Sequence, residues 1–211
     1  MDWVAISSLA TAAGTLSLAA TTYLSVRSAN QAARTAERSL LAGLRPLLVE
    51  SLESDPTQRV NFQDVRGIVT PGGGAAVQVI DDSLFVVLSL RNVGPGIAVL
   101  YGGTLYAERR VSSDESDPLE TFRMLRRDIY IPPGKIGFWQ IAYRDEEGNA
   151  PEPFLAAVEA GDLMAEILYG DSEGGQRVIT RFTVLRDDDG EWRLSTVRHR
   201  QIDRGDPRLD R

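Results

Sequence analysis

One histidine, no cysteine and thirty carboxylates are what this 211-residue chain brings to chemistry. His199 stands in Arg198-His199-Arg200, between two cations and close to a charged C-terminal end, a poor setting for a triad or a metal site. The acidic turns Asp187-Asp188-Asp189-Gly190 and Asp145-Glu146-Glu147-Gly148-Asn149 carry oxygen ligands. Neither has EF-hand spacing, and Asp-Gly and Glu-Gly are ordinary hairpin chemistry. Gly72-Gly73-Gly74 is not followed by Gly-Lys-Ser/Thr, which excludes a phosphate loop. Arg204-Gly205-Asp206 falls in the tail and reads as chance. No pair of carboxylates has the context of a glycosidase. Trp139 and Trp192 fall in predicted strands and read as core or sheet-face residues. The expectation is a non-enzymatic protein with no catalytic residue, no metal, no cofactor and no identified small-molecule substrate.

The charge is unevenly placed. Residues 1–45 carry Arg27, Arg34, Arg38 and Arg45 against Asp2 and Glu37, so the rest of the chain holds more than the whole net charge of −7. An acidic domain of this kind lacks the basic face of a general nucleic-acid binder. Lys135 is the only lysine, a bias that fits a GC-rich coding sequence.

These features sit on two kinds of element. Between Asp2 and Arg27 there is no charge. Trp3 to Val26 would span about 36 Å as a helix, against about 30 Å for a hydrocarbon core. Trp3, Ile6, Leu9, Leu16, Leu18, Tyr23, Leu24 and Val26 are the candidate membrane-anchor residues. An acidic start argues against a cleaved signal peptide, and the many Ser and Thr residues keep a soluble helical bundle open. If the segment spans, the arginines that follow it place the N-terminus outside and the remainder in the cytoplasm of a single-pass protein of the cell membrane. The helix is expected to continue to about Leu44, since neither Gly nor Pro intervenes until Gly43 and Pro46. Val26, Ala29, Ala33, Ala36 and Leu40 recur by three and four along it. Such an alanine-rich stripe is a candidate seam for association with a second copy or another membrane helix.

From Pro46 the pattern turns to period two. Strands are expected at 47–52, 76–80, 84–90, 97–106, 128–131, 136–143, 163–169 and 176–185, then from Trp192, with short edge strands near Val60 and Ile68. Leu84 to Leu90 is apolar on both faces and should be central. Residues 111–121 read as a polar acidic loop, and Pro153 to Ala160 as a short helical turn. The organisation is a helical segment over 1–45, a β domain over 46–200, and a charged flexible tail over 201–211. The fold class is mainly β: an antiparallel β-sandwich preceded by one long N-terminal α-helix.

Leu90-Arg-Asn-Val-Gly-Pro-Gly-Ile-Ala98 resembles the N-x-G-x-G-x-A corner of bacterial immunoglobulin-like domains, and the overall plan resembles uncharacterised membrane-anchored β-sandwich proteins of bacteria. The resemblance implies an immunoglobulin-like sandwich and no activity. Asn92, Gly94, Pro95 and Gly96 form a candidate partner-contact loop. The function expected is a membrane-anchored interaction protein whose cytoplasmic sandwich binds a protein partner. The alternative is a structural protein whose N-terminal helices self-assemble, and an enzyme of unrecognised type comes third.

Overall fold

The computed structural model describes residues 3–63, 65–109, 118–144 and 149–203; the side chains of Val4, Ala5, Ile6, Leu9, Ala10, Ala42 and Asp128 fall outside that description. Two compact units meet between Gly43 and Leu44.

The first unit is α1, Trp3–Gly43. Its threonines would ordinarily compete with a helix, but here they bond back along it. The hydroxyls of Thr11, Thr15, Thr22 and Thr35 each donate to the carbonyl four residues earlier, at 2.7–3.0 Å. Side chains from Thr11 to Leu40 are exposed on every face.

The second unit is mainly β. Its strands are β1 Leu48–Glu50, β2 Gln58–Val60, β3 Ile68–Thr70, β4 Gly74–Ile80, β5 Ser83–Asn92, β6 Ala98–Tyr106, β7 Arg123–Ile131, β8 Ile136–Tyr143, β9 Asp162–Gly170, β10 Arg177–Arg186 and β11 Trp192–Gln201. A second α-helix, α2 Glu152–Ala160, lies between β8 and β9, and a 3-10 turn, Leu119–Thr121, precedes β7. The strand order is β1-β5-β4-β11-β10-β9-β6-β7, with β8 on β5's other side, while β2 and β3 form a separate hairpin. All the pairings are antiparallel.

β5 is the centre of this arrangement because both its faces are apolar. Leu84, Val86, Leu88 and Leu90 enter the main core, which also takes Leu100, Leu105, Trp139, Ile167, Tyr169 and Phe182. Phe85 and Val87 enter a second cluster, closed by Val60 and Ile68 of the β2–β3 hairpin. The sheet folds over on itself around the main core. A Cβ on Gly103 of β6 would come within 2.6 Å of the Trp139 ring of β8. The bend lies where β4 meets β11 through two residue pairs, Ala75↔Trp192 and Gly74↔Arg193. Gly74 permits that approach, since a Cβ there would stand 2.8 Å from the Trp192 carbonyl.

Turn chemistry sets the registers. The β4–β5 hairpin turns on Asp81 and Asp82, both with positive φ, as a two-residue loop matched to strand twist requires. α2 starts behind Pro151 and stops at Gly161, whose φ of 73° is left-handed. β11 runs to Gln201. Beyond it Ile202 N–H donates to the Arg177 carbonyl at 3.1 Å, and Asp203 pairs with Arg177 at 2.8 Å. Residues 201–203, the start of the expected tail, are therefore held on β10, where Arg177 supplies Asp203 with both a backbone and a guanidinium donor; residues 204–211 lie outside the described residues.

Candidate functional site

Asn92 ends β5 and is fully buried. Its Oδ1 accepts from the backbone N–H of Leu47 at 3.2 Å and of Gly94 at 3.0 Å. Its Nδ2 donates to the carbonyls of Gly96 at 2.7 Å and Ile131 at 2.9 Å. One amide thus closes the loop and joins it to β7 and to the approach to β1. Gly94 and Gly96 are buried against the backbone of residues 44–47, where a Cβ would clash. Of the proposed contact loop, Asn92, Gly94 and Gly96 are corner residues turned inward. Pro95 is exposed, as are its neighbours Val93 (51%) and Ile97 (40%).

His199 lies within β11 rather than beside a frayed end. Its Nδ1 stands 2.7 Å from Thr180 Oγ1. Thr180 in turn contacts the Tyr169 hydroxyl at 2.9 Å, which accepts from Leu48 N–H at 3.1 Å. The chain crosses the core from β11 to β1. Burial pushes the Tyr169 phenol above its usual range. A second buried polar group joins Glu166, Arg181 and Tyr106. Arg181 meets Glu166 at 2.7 Å with side-chain exposures of 5% and 1%, and the Tyr106 hydroxyl donates to the same carboxylate at 3.0 Å. Tyr169, Thr180, Glu166 and Arg181 are buried, and His199 is half-buried.

The acidic turns divide. Asp187 Oδ1 accepts from the N–H of Asp189 and Glu191, and its other oxygen pairs with Arg193 at 2.8 Å. The turn is therefore self-satisfied, and among the described residues no cluster of metal-ligating side chains occurs. Residues 145–148 of the other turn, and Arg204-Gly205-Asp206, lie outside the described residues.

The open chemistry is elsewhere. A cleft of about 1110 Å³ runs beside β8. The β2–β3 connection lines one side with Asn61, Phe62, Gln63 and Arg66. β7 lines the other with Arg123, Leu125, Arg126, Arg127 and Ile129. Trp139, Gln140, Ile141 and Ala142 come from β8 itself, and Arg144 from just beyond it. β7 opens the cleft by leaving its ladder. Where β6 advances from Leu100 to Gly102, β7 passes from Ile129 to Met124, so residues 125–128 bulge away. Arg66, Arg126 and Arg127 are exposed. Arg123 spans the seam at one end: it donates to the Ala142 carbonyl at 3.1 Å and lies 3.9 Å over the Tyr143 ring.

Two polar atoms of β8 at this cleft are buried without a hydrogen-bond partner among the described residues, Trp139 Nε1 and Gln140 Oε1. Trp139 is 1% exposed and is a core residue as the sequence suggests, but its indole N–H is unspent. An unpaired buried donor is uncommon in folded proteins. Sequence reasoning missed this site. Its only signal was three arginines within Arg123-Met-Leu-Arg-Arg127 in an otherwise acidic chain.

Trp3, Leu16, Leu18, Tyr23, Leu24, Val26 and Leu40 are exposed, as are Ala29, Ala33 and Ala36. The side chains of Ile6 and Leu9 lie outside those described. Among the described residues no helix is long and apolar enough to cross a membrane, so the anchor reading rests on the sequence.

No family model matches the chain, and no curated protein matches it in sequence. Among solved structures, a selenomethionine-labelled β-glucosidase from Kluyveromyces marxianus aligns at 16% identity and a TM-score of 0.19. The alignment covers 64% of this chain and 15% of that one. At that score the likeness carries no argument about fold or activity.

Proposed function

We propose that this chain is a non-enzymatic interaction protein whose β domain recognises a partner and whose α1 anchors or assembles it. The observation that carries this reading is the arginine-rimmed cleft beside β8. Its described lining offers guanidinium groups over a partly apolar floor, which bind and orient an anionic group. In an acidic chain, cations gathered at one cleft mark a selective surface. We read the domain as an immunoglobulin-like sandwich. In support, β1-β5-β8 and β10-β9-β6-β7 have the neighbour order of the two sheets of that fold, with α2 joining them.

The test is photo-cross-linking in cells, with a photoreactive residue at position 126 or, as a control, at exposed Glu173. A discrete adduct from 126 alone supports the reading. Equal adducts from both positions, or none from 126, overturn it.

The membrane part of the proposal rests on the uncharged run 3–26 and the arginines after it. Alkaline carbonate washing of membranes tests it: a spanning chain stays in the pellet, and release into the wash removes the anchor. A second reading, self-assembly through α1, is favoured by the apolar side chains of Leu16, Leu18, Leu24, Val26 and Leu40, which are exposed along it; a partner helix that covered them would stabilise it.

A further inference from the structure

The chemistry of the partner follows from where the cleft lies on β8, and this inference rests on reading that cleft as a recognition site. Trp139 and Ile141 face the main core, while Phe138 and Ala142 pack with the second cluster on the opposite face. The cleft touches residues of both parities, 139 and 141 together with 140 and 142. A cavity that reaches both faces of one strand runs along that strand's edge. β8 pairs with β5 alone; its other edge has no strand partner among the described residues. β7, its sequence neighbour, pairs with β6 instead. The edge is therefore a groove walled by the β2–β3 connection on one side and the β7 bulge on the other.

We propose that this groove binds an extended acidic peptide segment of a partner protein, added to β8 as a further strand. Strand addition supplies main-chain hydrogen bonds along an open edge, and side-chain pockets supply the selectivity. Alternate side chains of an added strand point to opposite sides. Here one side meets Arg126 and Arg127 and the other meets Arg66, so carboxylates suit both. The Arg123 bridge to Ala142 bounds the groove at one end and the turn at 132–135 at the other. Between them about four strand residues fit at 3.3 Å each. A single-stranded nucleic acid would need faces on which bases stack; Trp139 is buried, and Phe62 is engaged edge-on with Phe85 at 5.0 Å.

The test uses the full chain and a fluorescent nonapeptide of repeated Glu-Glu-Val, which puts carboxylates on both sides of an added strand. Comparators are the same peptide N-methylated at every second residue, a Lys-Lys-Val counterpart, oligo-dT and inorganic phosphate. Anisotropy should show salt-sensitive binding of the acidic peptide only. N-methylation on the docking edge should weaken it at least tenfold, in one of the two methylation phases. R126E/R127E, two exposed positions, should weaken it at least tenfold with an unchanged circular dichroism spectrum and melting midpoint. Trp139 lies in the cleft wall, so W139F should abolish the tryptophan emission change on binding, which W192F should retain. Equal binding of both methylated peptides would leave charge without strand addition and overturn the proposal. Preference for oligo-dT or phosphate would overturn it too. A position-126 adduct in cells with no peptide binding would leave the recognition reading standing and remove this inference; loss of both would remove the site.

Discussion

Asn92→Ala is the sharpest test of how the β domain is built. The substitution removes four hydrogen bonds at once, from Leu47 N–H, Gly94 N–H and the carbonyls of Gly96 and Ile131. A net loss of about 1 kcal/mol per bond gives about 4 kcal/mol. A water entering the vacated space would return part of that, so the expected range is about 3–4 kcal/mol. Domains of this size are stable by about 5–15 kcal/mol, so the loss is a large fraction of the total. Urea unfolding of the full chain, followed by tryptophan emission, measures it. With a slope of about 2 kcal/mol/M the midpoint should fall by about 2 M. Val93→Ala, one residue along and exposed, should stay within about 0.5 kcal/mol of wild type. Asn92→Asp should be no better than Asn92→Ala at neutral pH, because a carboxylate oxygen would face the two carbonyls that Nδ2 now serves. A loss below about 1 kcal/mol for Asn92→Ala would refute the reasoning, since four unpartnered buried groups cannot be that cheap.

Glu166→Ala should destabilise by about 3–5 kcal/mol by stranding the Arg181 guanidinium in the core, while Glu166→Leu with Arg181→Met should recover much of that loss in the same urea assay. Stability should fall on acidification. At Asp55, burial raises the carboxyl pKa, but the Leu52 N–H and Arg91 outweigh it and hold it below the usual range; Asp203 is held low by Arg177. Carboxyls depressed in the folded state contribute fully above their unfolded pKa of about 4 and lose that contribution as pH falls through the folded values. Thermal midpoints measured from pH 6 to pH 2 should therefore drop, and Asp55→Asn should start lower and drop less. Ala29→Glu with Ala36→Glu should shift the full chain toward monomer in detergent by mass photometry, because like charges would face each other across a close helix seam; an unchanged distribution would remove that seam.

What the sequence disclosed, and what it hid, follows from how local each signal is. β5 was legible because apolar residues at both parities leave a strand no place but the centre. Asn92 was legible as a corner because glycines two and four residues later allow backbone to approach it. Its direction was not: the same motif suits an exposed loop or a buried clasp, and the choice depends on Leu47 and Ile131, both remote in sequence. His199 looked loose because the bond that holds it comes from Thr180 on the neighbouring strand. The Asp81-Asp82 turn was concealed by residues that seldom take positive φ, although aspartate does so more readily than most.

The cleft was illegible for a deeper reason. Its walls come from 61–66, 123–129 and 139–144, and each segment alone has an ordinary explanation. Arg126 and Arg127 fall before the strand expected at 128–131, and Trp139 reads as core. Only the bulge in β7 makes them one site. A bulge is set by the mismatch in length between two ladders, five steps of β7 against two of β6, and no single residue announces it. Arg123 is engaged within the fold, on the Ala142 carbonyl and the Tyr143 ring, whereas Arg126 and Arg127 stand exposed on the bulge at the cleft. Two guanidinium groups beside an open strand edge suit a bound carboxylate-bearing chain.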